Sequence, residues 1–227
     1  MFTFSAVFAQ GNTRVDHLEP EQALKLVHAH LEVLDQKFAP TYSGKDSLVL
    51  ITGKILVGQI GEKYQNSFEF ISMNKKGKTK QRFYETDMVY AVYKADGTEE
   101  IWYKYDERKG FSMTQEEMKY FIYGAFEAQE NFKSNAVGYL GGAYGVLIGY
   151  AGSDNFFTFL APFFYVVTVG ISSSTVTIDE NDTMAMRNYQ AYMAGYQQHA
   201  RSKKMVLAGW TSVLGTAVGV GMGSLIK

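Results

Sequence analysis

The chain of 227 residues has no cysteine, which removes disulfides, thiolate nucleophiles, thiolate metal sites and a lipidated cysteine anchor from its chemistry. It also lacks an excess of charge of either sign, because 22 Lys and Arg stand against 23 Asp and Glu. No basic surplus points to nucleic acid as a partner, and no acidic surplus to a solvating tail. Histidine is sparse, and His17, His28, His30 and His199 are scattered. His28 and His30 are too close in sequence to share a helical face, so no metal centre is expected. No Gly-x-Ser-x-Gly occurs, and the glycine run from Gly138 to Gly145 is followed by no Lys-Ser/Thr and preceded by no strand. A nucleophile elbow, a phosphate loop and a dinucleotide fingerprint are thereby excluded. The expectation is a protein that is not an enzyme, with no catalytic residue, no cofactor and no metal.

Charge is missing from long stretches. Between Ser134 and Ile178 the only charged residue is Asp154, and Met205–Ile226 carries none over 22 residues. Residues 1–133 hold 17 of the 22 Lys and Arg and 19 of the 23 Asp and Glu, so a polar part precedes an apolar one. Two apolar segments, 136–152 and 156–173, are joined by Ser153-Asp154-Asn155 and read as a helical hairpin, and 205–226 is a third segment. Each is near the roughly 20 residues that a bilayer span needs, so about three Gly-rich transmembrane helices are expected. Asp154 belongs at the hairpin tip as a solvated cap. Pro162 predicts a kink in the second segment, where Thr158 and neighbouring helices re-satisfy the freed carbonyl.

Glycines recur every four residues at Gly141, Gly145 and Gly149, and again at Gly215, Gly219 and Gly223. In lipid, small residues stacked on one helix face let backbones approach closely. These six are the candidate helix-packing residues, the two ladders meeting each other or the aromatic second segment.

The polar part is patterned differently. Met1–Gln10 resembles the tail of a secretory signal peptide cut after Ala9, although it lacks a basic n-region; the competing reading is a buried strand. Glu19–Phe38 is an amphipathic helix, with Leu24, Val27, Leu31, Leu34 and Phe38 at steps of three and four. From Asp46 to Asp106, five or six short β-branched or apolar runs alternate with turn residues, which predicts a small antiparallel sheet or SH3-like barrel. Asp96-Gly97 between two such runs predicts a two-residue type I′ hairpin. Thr114 and Glu117 fit a capping box opening a helix whose stripe is Met118, Phe121, Ile122, Ala125, Phe126 and Phe132. That helix runs towards the first apolar segment, and Thr183–Lys204 is a second amphipathic helix. Lys75, Lys76, Lys78, Lys80 and Arg82 form a basic hairpin tip. It is a candidate contact for anionic headgroups or a partner, weighed against an ordinary solvated turn.

Certain phrases are shared with a known group. Asp46-x-Leu48-x-Leu50, then Gly53-Lys54-Ile55-Leu56-x-Gly58-x-Ile60, then Asp96-Gly97-Thr98-x-Glu100 open the pattern. Downstream come the Gly-rich hairpin, Tyr192-Met193-Ala194-Gly195-Tyr196, Arg201-Ser202-Lys203-Lys204 and a final Gly-rich segment. Over residues 46–227 this resembles an uncharacterised Bacteroidota envelope protein family with a small β module, a Gly-rich apolar hairpin and a C-terminal Gly-rich apolar helix. The resemblance implies a location and an architecture, and no activity; Glu19–Phe38 lies outside its pattern.

The combined expectation is an α+β chain: a truncated signal peptide over 1–10, a helix, β module and connecting helix over 11–133, and a helical membrane region over 134–227. Its function would be that of a membrane-anchored envelope protein, a binding or scaffolding module. The alternative is a component of an oligomeric channel or transporter. Its partners would be the lipid bilayer and a second copy or another envelope protein. The leader and the resemblance imply a periplasmic β module, while Arg187, Arg201, Lys203 and Lys204 argue for the opposite side by the positive-inside rule.

Overall fold

The structure is a computed structural model that describes residues 45–73, 78–109, 112–171 and 183–226, with part of a helix between residues 22 and 33. The leader at 1–10, the turn at 74–77 with Lys75 and Lys76, and the acidic stretch 179–182 lie outside the described residues. The chain is α+β and divides into two compact units, with boundaries at 126/127, 175/176 and 196/197. The first holds the sheet and residues 176–196; the second holds residues 127–175 and 197–227.

Six strands make one antiparallel sheet: β1 (Asp46–Leu50), β2 (Ile55–Lys63), β3 (Ser67–Met73), β4 (Thr79–Glu85), β5 (Val89–Tyr93) and β6 (Glu99–Ile101). Their order is β4-β3-β2-β1-β5-β6. Period-2 alternation sorts their side chains. Leu48, Leu50, Phe68, Phe70, Val89 and Val92 share one core with Leu56, Ile60, Tyr84 and Trp102. The ring of Phe68 on β3 meets that of Trp102, just after β6, edge-on at 5.1 Å. Strands at opposite ends of the order therefore come together, so the sheet curls around this core. A register shift after Ile60 supplies part of the bend. Asp46 ties the curl as well, accepting from Ala95 N at 3.1 Å and from Ile60 N at 3.4 Å.

The opposite face of β1 and β5 buries Val49, Ala91 and Tyr90 with Tyr103, Met118 and Ile122. Met118 and Ile122 belong to α1 (Gln115–Asn131), whose stripe thus lies against the sheet. Covered on both faces, β1 and β5 are almost wholly buried, whereas β4 is exposed along nearly its whole length. Tyr103 donates to Met113 O at 2.7 Å, and burial raises its hydroxyl above the ordinary tyrosine range.

The capping box forms as its spacing predicts. Thr114 N donates to Glu117 Oε2 at 2.8 Å, and Glu117 N donates to Thr114 Oγ1 at 3.3 Å. Glu117 is 1% exposed and also pairs with Arg187. Arg187 belongs to α4 (Met184–Ile226), so one carboxylate both caps α1 and holds α4 beside it. Leu31 of the N-terminal helix packs with Tyr120, Tyr189, Tyr192 and Met193.

Four expectations are corrected here, the last of them the kink at Pro162. The β5–β6 turn is not type I′, because Asp96 does not have positive φ while Gly97 does, at 90°. Gly97 N donates to Lys94 O and Lys94 N to Thr98 O, a three-residue loop that ends in a left-handed glycine. The β1–β2 turn repeats it, with Gly53 N on Leu50 O and Leu50 N on Lys54 O. Asp96 Oδ1 instead accepts from Thr98 N at 2.8 Å, and this bond lowers its carboxyl below the usual range. Secondly, Thr183–Lys204 and the third apolar segment are one helix of 43 residues, since no proline or turn residue separates them. Thirdly, among the described residues one helix, α4, is long and apolar enough to cross a membrane, not about three.

The reason lies in the hairpin. Helix α2 (Asn135–Ala151) has 17 residues, about 25 Å at 1.5 Å per residue. The second segment is not a kinked helix. Asn155 caps a tight 3-10 turn at Phe156–Leu160, and α3 (Ala161–Ile171) starts only then, with Pro162 in its first turn. Proline is tolerated there because the N–H it lacks would have no partner anyway.

The two left-handed glycines separate strain from space. Gly97→Ala meets open space and is expected to cost about 1 kcal/mol for positive φ alone. A Cβ on Gly53 would also lie 2.7 Å from Ala125 Cβ and 2.9 Å from Phe126 N of α1. Gly53→Ala is therefore expected to lower the chemical-denaturation midpoint of the full chain clearly more than Gly97→Ala. Equal shifts would show that the Gly53 contact carries no weight.

Candidate functional site

The second unit is built around glycine. In α2 the buried residues are Gly138, Gly141, Gly145 and Gly149, with no larger side chain among them. On α4 the matching face is Ala208, Ser212, Gly215, Thr216, Gly219 and Gly223, all buried. These faces meet. A Cβ on Gly145 would overlap Ser212 O and lie 2.7 Å from Thr216 N. One on Gly149 would overlap Thr216 O and lie 3.0 Å from Val220 N. From the other side, Gly215 lies against Gly142 O and Gly219 against Val146 O.

The numbers rise together along both helices: Gly141 by Ala208 and Thr211, Gly145 by Ser212 to Thr216, Gly149 by Thr216 to Val220. The two helices therefore run parallel, backbone against backbone. At such separations Cα–H groups point at carbonyl oxygens, a weak but repeated attraction. Gly223 closes the series beside Ser153 of the hairpin turn, with Ser153 Oγ 2.8 Å from where its Cβ would stand.

Helix α3 returns alongside. Tyr165 donates to Val137 O at 2.8 Å and stacks on Tyr144 at 5.4 Å. Thr158 donates to Gly152 O at 2.6 Å, and Gly170 faces Met205. The phenylalanines of this segment do not fill the glycine hollows: Phe156, Phe157, Phe159, Phe163 and Phe164 are all exposed. The polar side chains at the contact are satisfied within their own helix, Ser212 on Ala208 O at 2.6 Å and Thr216 on Ser212 O at 2.9 Å.

Lys78, Lys80 and Arg82 are exposed at and before β4, and Asp154 is exposed at the hairpin turn. Among the described residues no three His, Asp or Glu side chains gather in a way that could hold a metal ion.

No family model matches this chain, and neither a curated protein nor a solved structure is similar to it. What it does must therefore be argued from its own residues. Sequence reasoning missed a second close crossing, in the first unit, where a Cβ on Gly124 would overlap Tyr192 O and one on Gly195 would overlap Phe121 O. Each is a single glycine in its helix face and so forms no ladder. Gly195 does stand in the Tyr192-to-Tyr196 phrase, which was the one available signal.

Adjacent glycines give a test of opposite sign. A Cβ on Gly142 or Gly221 meets nothing within 4 Å, so alanine there is expected to raise stability by up to about 1 kcal/mol through helix propensity. Gly145→Ala and Gly219→Ala should lower it by about 1–3 kcal/mol, as overpacking does. Unfolding of the full chain in detergent micelles, followed by circular dichroism, reads both. Stabilisation by Gly145→Ala would contradict the contact.

Proposed function

We propose that this chain is a membrane-anchored protein of the bacterial cell envelope, in which the second unit holds a binding or scaffolding module at the bilayer. The module is the curled sheet, which we take to be an SH3-like barrel. The observation that carries the reading is that the second unit is inside-out relative to a water-soluble domain. Its helix contacts are lined by glycine, alanine, serine and threonine, while Leu140, Leu147, Phe163, Val213, Leu214 and Leu225 face outward. Burying large apolar side chains is what stabilises a domain in water, whereas lipid tails solvate them as well as a protein core does. Of the most apolar window of α4 only 28% is buried, so α4 is not enclosed as the core helix of a soluble protein would be.

The 22 uncharged residues Met205–Ile226 span about 33 Å as helix, enough for a hydrocarbon core of roughly 30 Å. In this reading α4 crosses, and α2 and α3 form an apolar hairpin packed on it, the hairpin turn lying beside Gly223. Lipid is one partner; a second copy or another envelope protein would be the other. The channel or transporter reading gains no support from Ser212 and Thr216, whose hydroxyls are spent on their own helix.

The full chain is expected to sediment with membranes and to remain there after alkaline carbonate washing, while detergent releases it. Recovery of the full chain as a soluble monomer without detergent would overturn the reading.

A further inference from the structure

We propose that Lys133 and Arg201, at the end of the second unit where α2 begins, seat on the anionic headgroups of a phospholipid leaflet. The inference rests on the bilayer reading above. Four basic residues gather at this end. Lys133 lies in the short break between α1 and α2, and Arg201, Lys203 and Lys204 lie on α4 just before its uncharged stretch. Among the described residues the acidic ones of the same end are Glu127 and Glu130, which leaves the described basic charge in excess. At the other end the one charged residue described is Asp154.

The four are not equivalent. Lys203 donates to Gln129 O, at the last turn of α1, and Lys204 holds its ammonium 5.6 Å from the centroid of the Phe132 ring. These two pin α4 to the helix break, and their stems are half-buried. Lys133 is exposed, Arg201 is half-buried, and neither has a partner among the described residues. Among the described residues they are the charges left over at this end.

What they seat on follows from the neighbouring surface. Gly138 lies against Leu207 and Gly141 against Ala208 and Thr211, which puts Tyr139 and Trp210 at nearly the same level. Both are outward-facing, at 77% and 67% exposure. That level is about 9 Å from Lys133 and about 14 Å from Arg201 along the helices, and helical side chains lean toward the N-terminus, here toward the basic residues. An aromatic level next to a basic one, above a bare apolar surface, matches the order of a bilayer surface: ring at the interface, cation among the phosphates. A soluble anion would use the charges and leave Tyr139 and Trp210 unexplained, so a lipid headgroup is the occupant.

Trp210 is a built-in reporter. Full-length protein would be reconstituted in vesicles whose acyl chains carry bromine, on either phosphatidylcholine or phosphatidylglycerol, at equal mole fraction. Trp102, in the core of the curled sheet, supplies an unquenched background. The brominated anionic lipid is expected to quench Trp210 at roughly 25-fold lower mole fraction than the zwitterionic one, about fivefold for each of the two basic residues. The preference should disappear in Lys133→Gln/Arg201→Gln, and in the unaltered protein it should fall as salt is raised toward 1 M. Equal quenching by both lipids, or a preference that survives the double variant and salt, would overturn the proposal and leave the bilayer reading standing. Absence of quenching by either lipid would overturn both.

Discussion

Everything in the second unit depends on one constraint, the approach of two helix backbones to within the reach of a single hydrogen atom. Along α2 and α4 nearly every residue at the contact is glycine, alanine, serine or threonine, and a methyl group on Gly145, Gly149, Gly215 or Gly219 would strike main-chain atoms. Such closeness has two consequences. Dispersion and Cα–H···O contacts between backbones replace the side-chain interlock of a core in water. Most large side chains, denied room inside, point out. The outward apolar surface and the glycine contact are thus one fact seen from two sides.

The first unit obeys the ordinary logic of burial. Its sheet has a core on each face of β1 and β5, one made by the sheet's own curl and one by α1. The helix pair there is held by a polar device as well. Glu117 accepts from Thr114 at its own helix start and pairs with Arg187, so removal of Arg187 would leave a buried carboxylate short of a partner. A buried charge tolerates this poorly, at about 3–5 kcal/mol. Charge fixes a register where water is excluded by side chains, and glycine fixes one where the backbones themselves touch.

Much of this was legible from local pattern. The six strands follow from alternation, and the start of α1 from Thr114 and Glu117. What was not legible depends on partners or on subtler backbone choices. Asp96-Gly97 is compatible with two hairpin loops, and only the conformation of Asp96 separates them. Pro162 is compatible with a kink or a first turn, and Asn155 capping the 3-10 turn before it decides for the latter. The register of the ladders could not be read either. Gly145 stands opposite Ser212 to Thr216 and Gly149 opposite Gly219, an offset that four-residue spacing alone does not fix. The Glu117–Arg187 pair joins residues far apart in the chain, and neither sequence neighbourhood hints at the other.

The central claim, that α2 and α4 pack in parallel through their small-residue faces inside a membrane, is open to a direct measurement because the chain has no cysteine of its own. Gly138 faces the Leu207 side chain across the contact, whereas Tyr139 and Val206 point outward. In native membranes, mild oxidation of Gly138→Cys/Leu207→Cys should give an intramolecular disulfide rapidly, and Tyr139→Cys/Val206→Cys should not. Equal crosslinking of the two pairs, or crosslinking of the outward pair alone, would contradict the account.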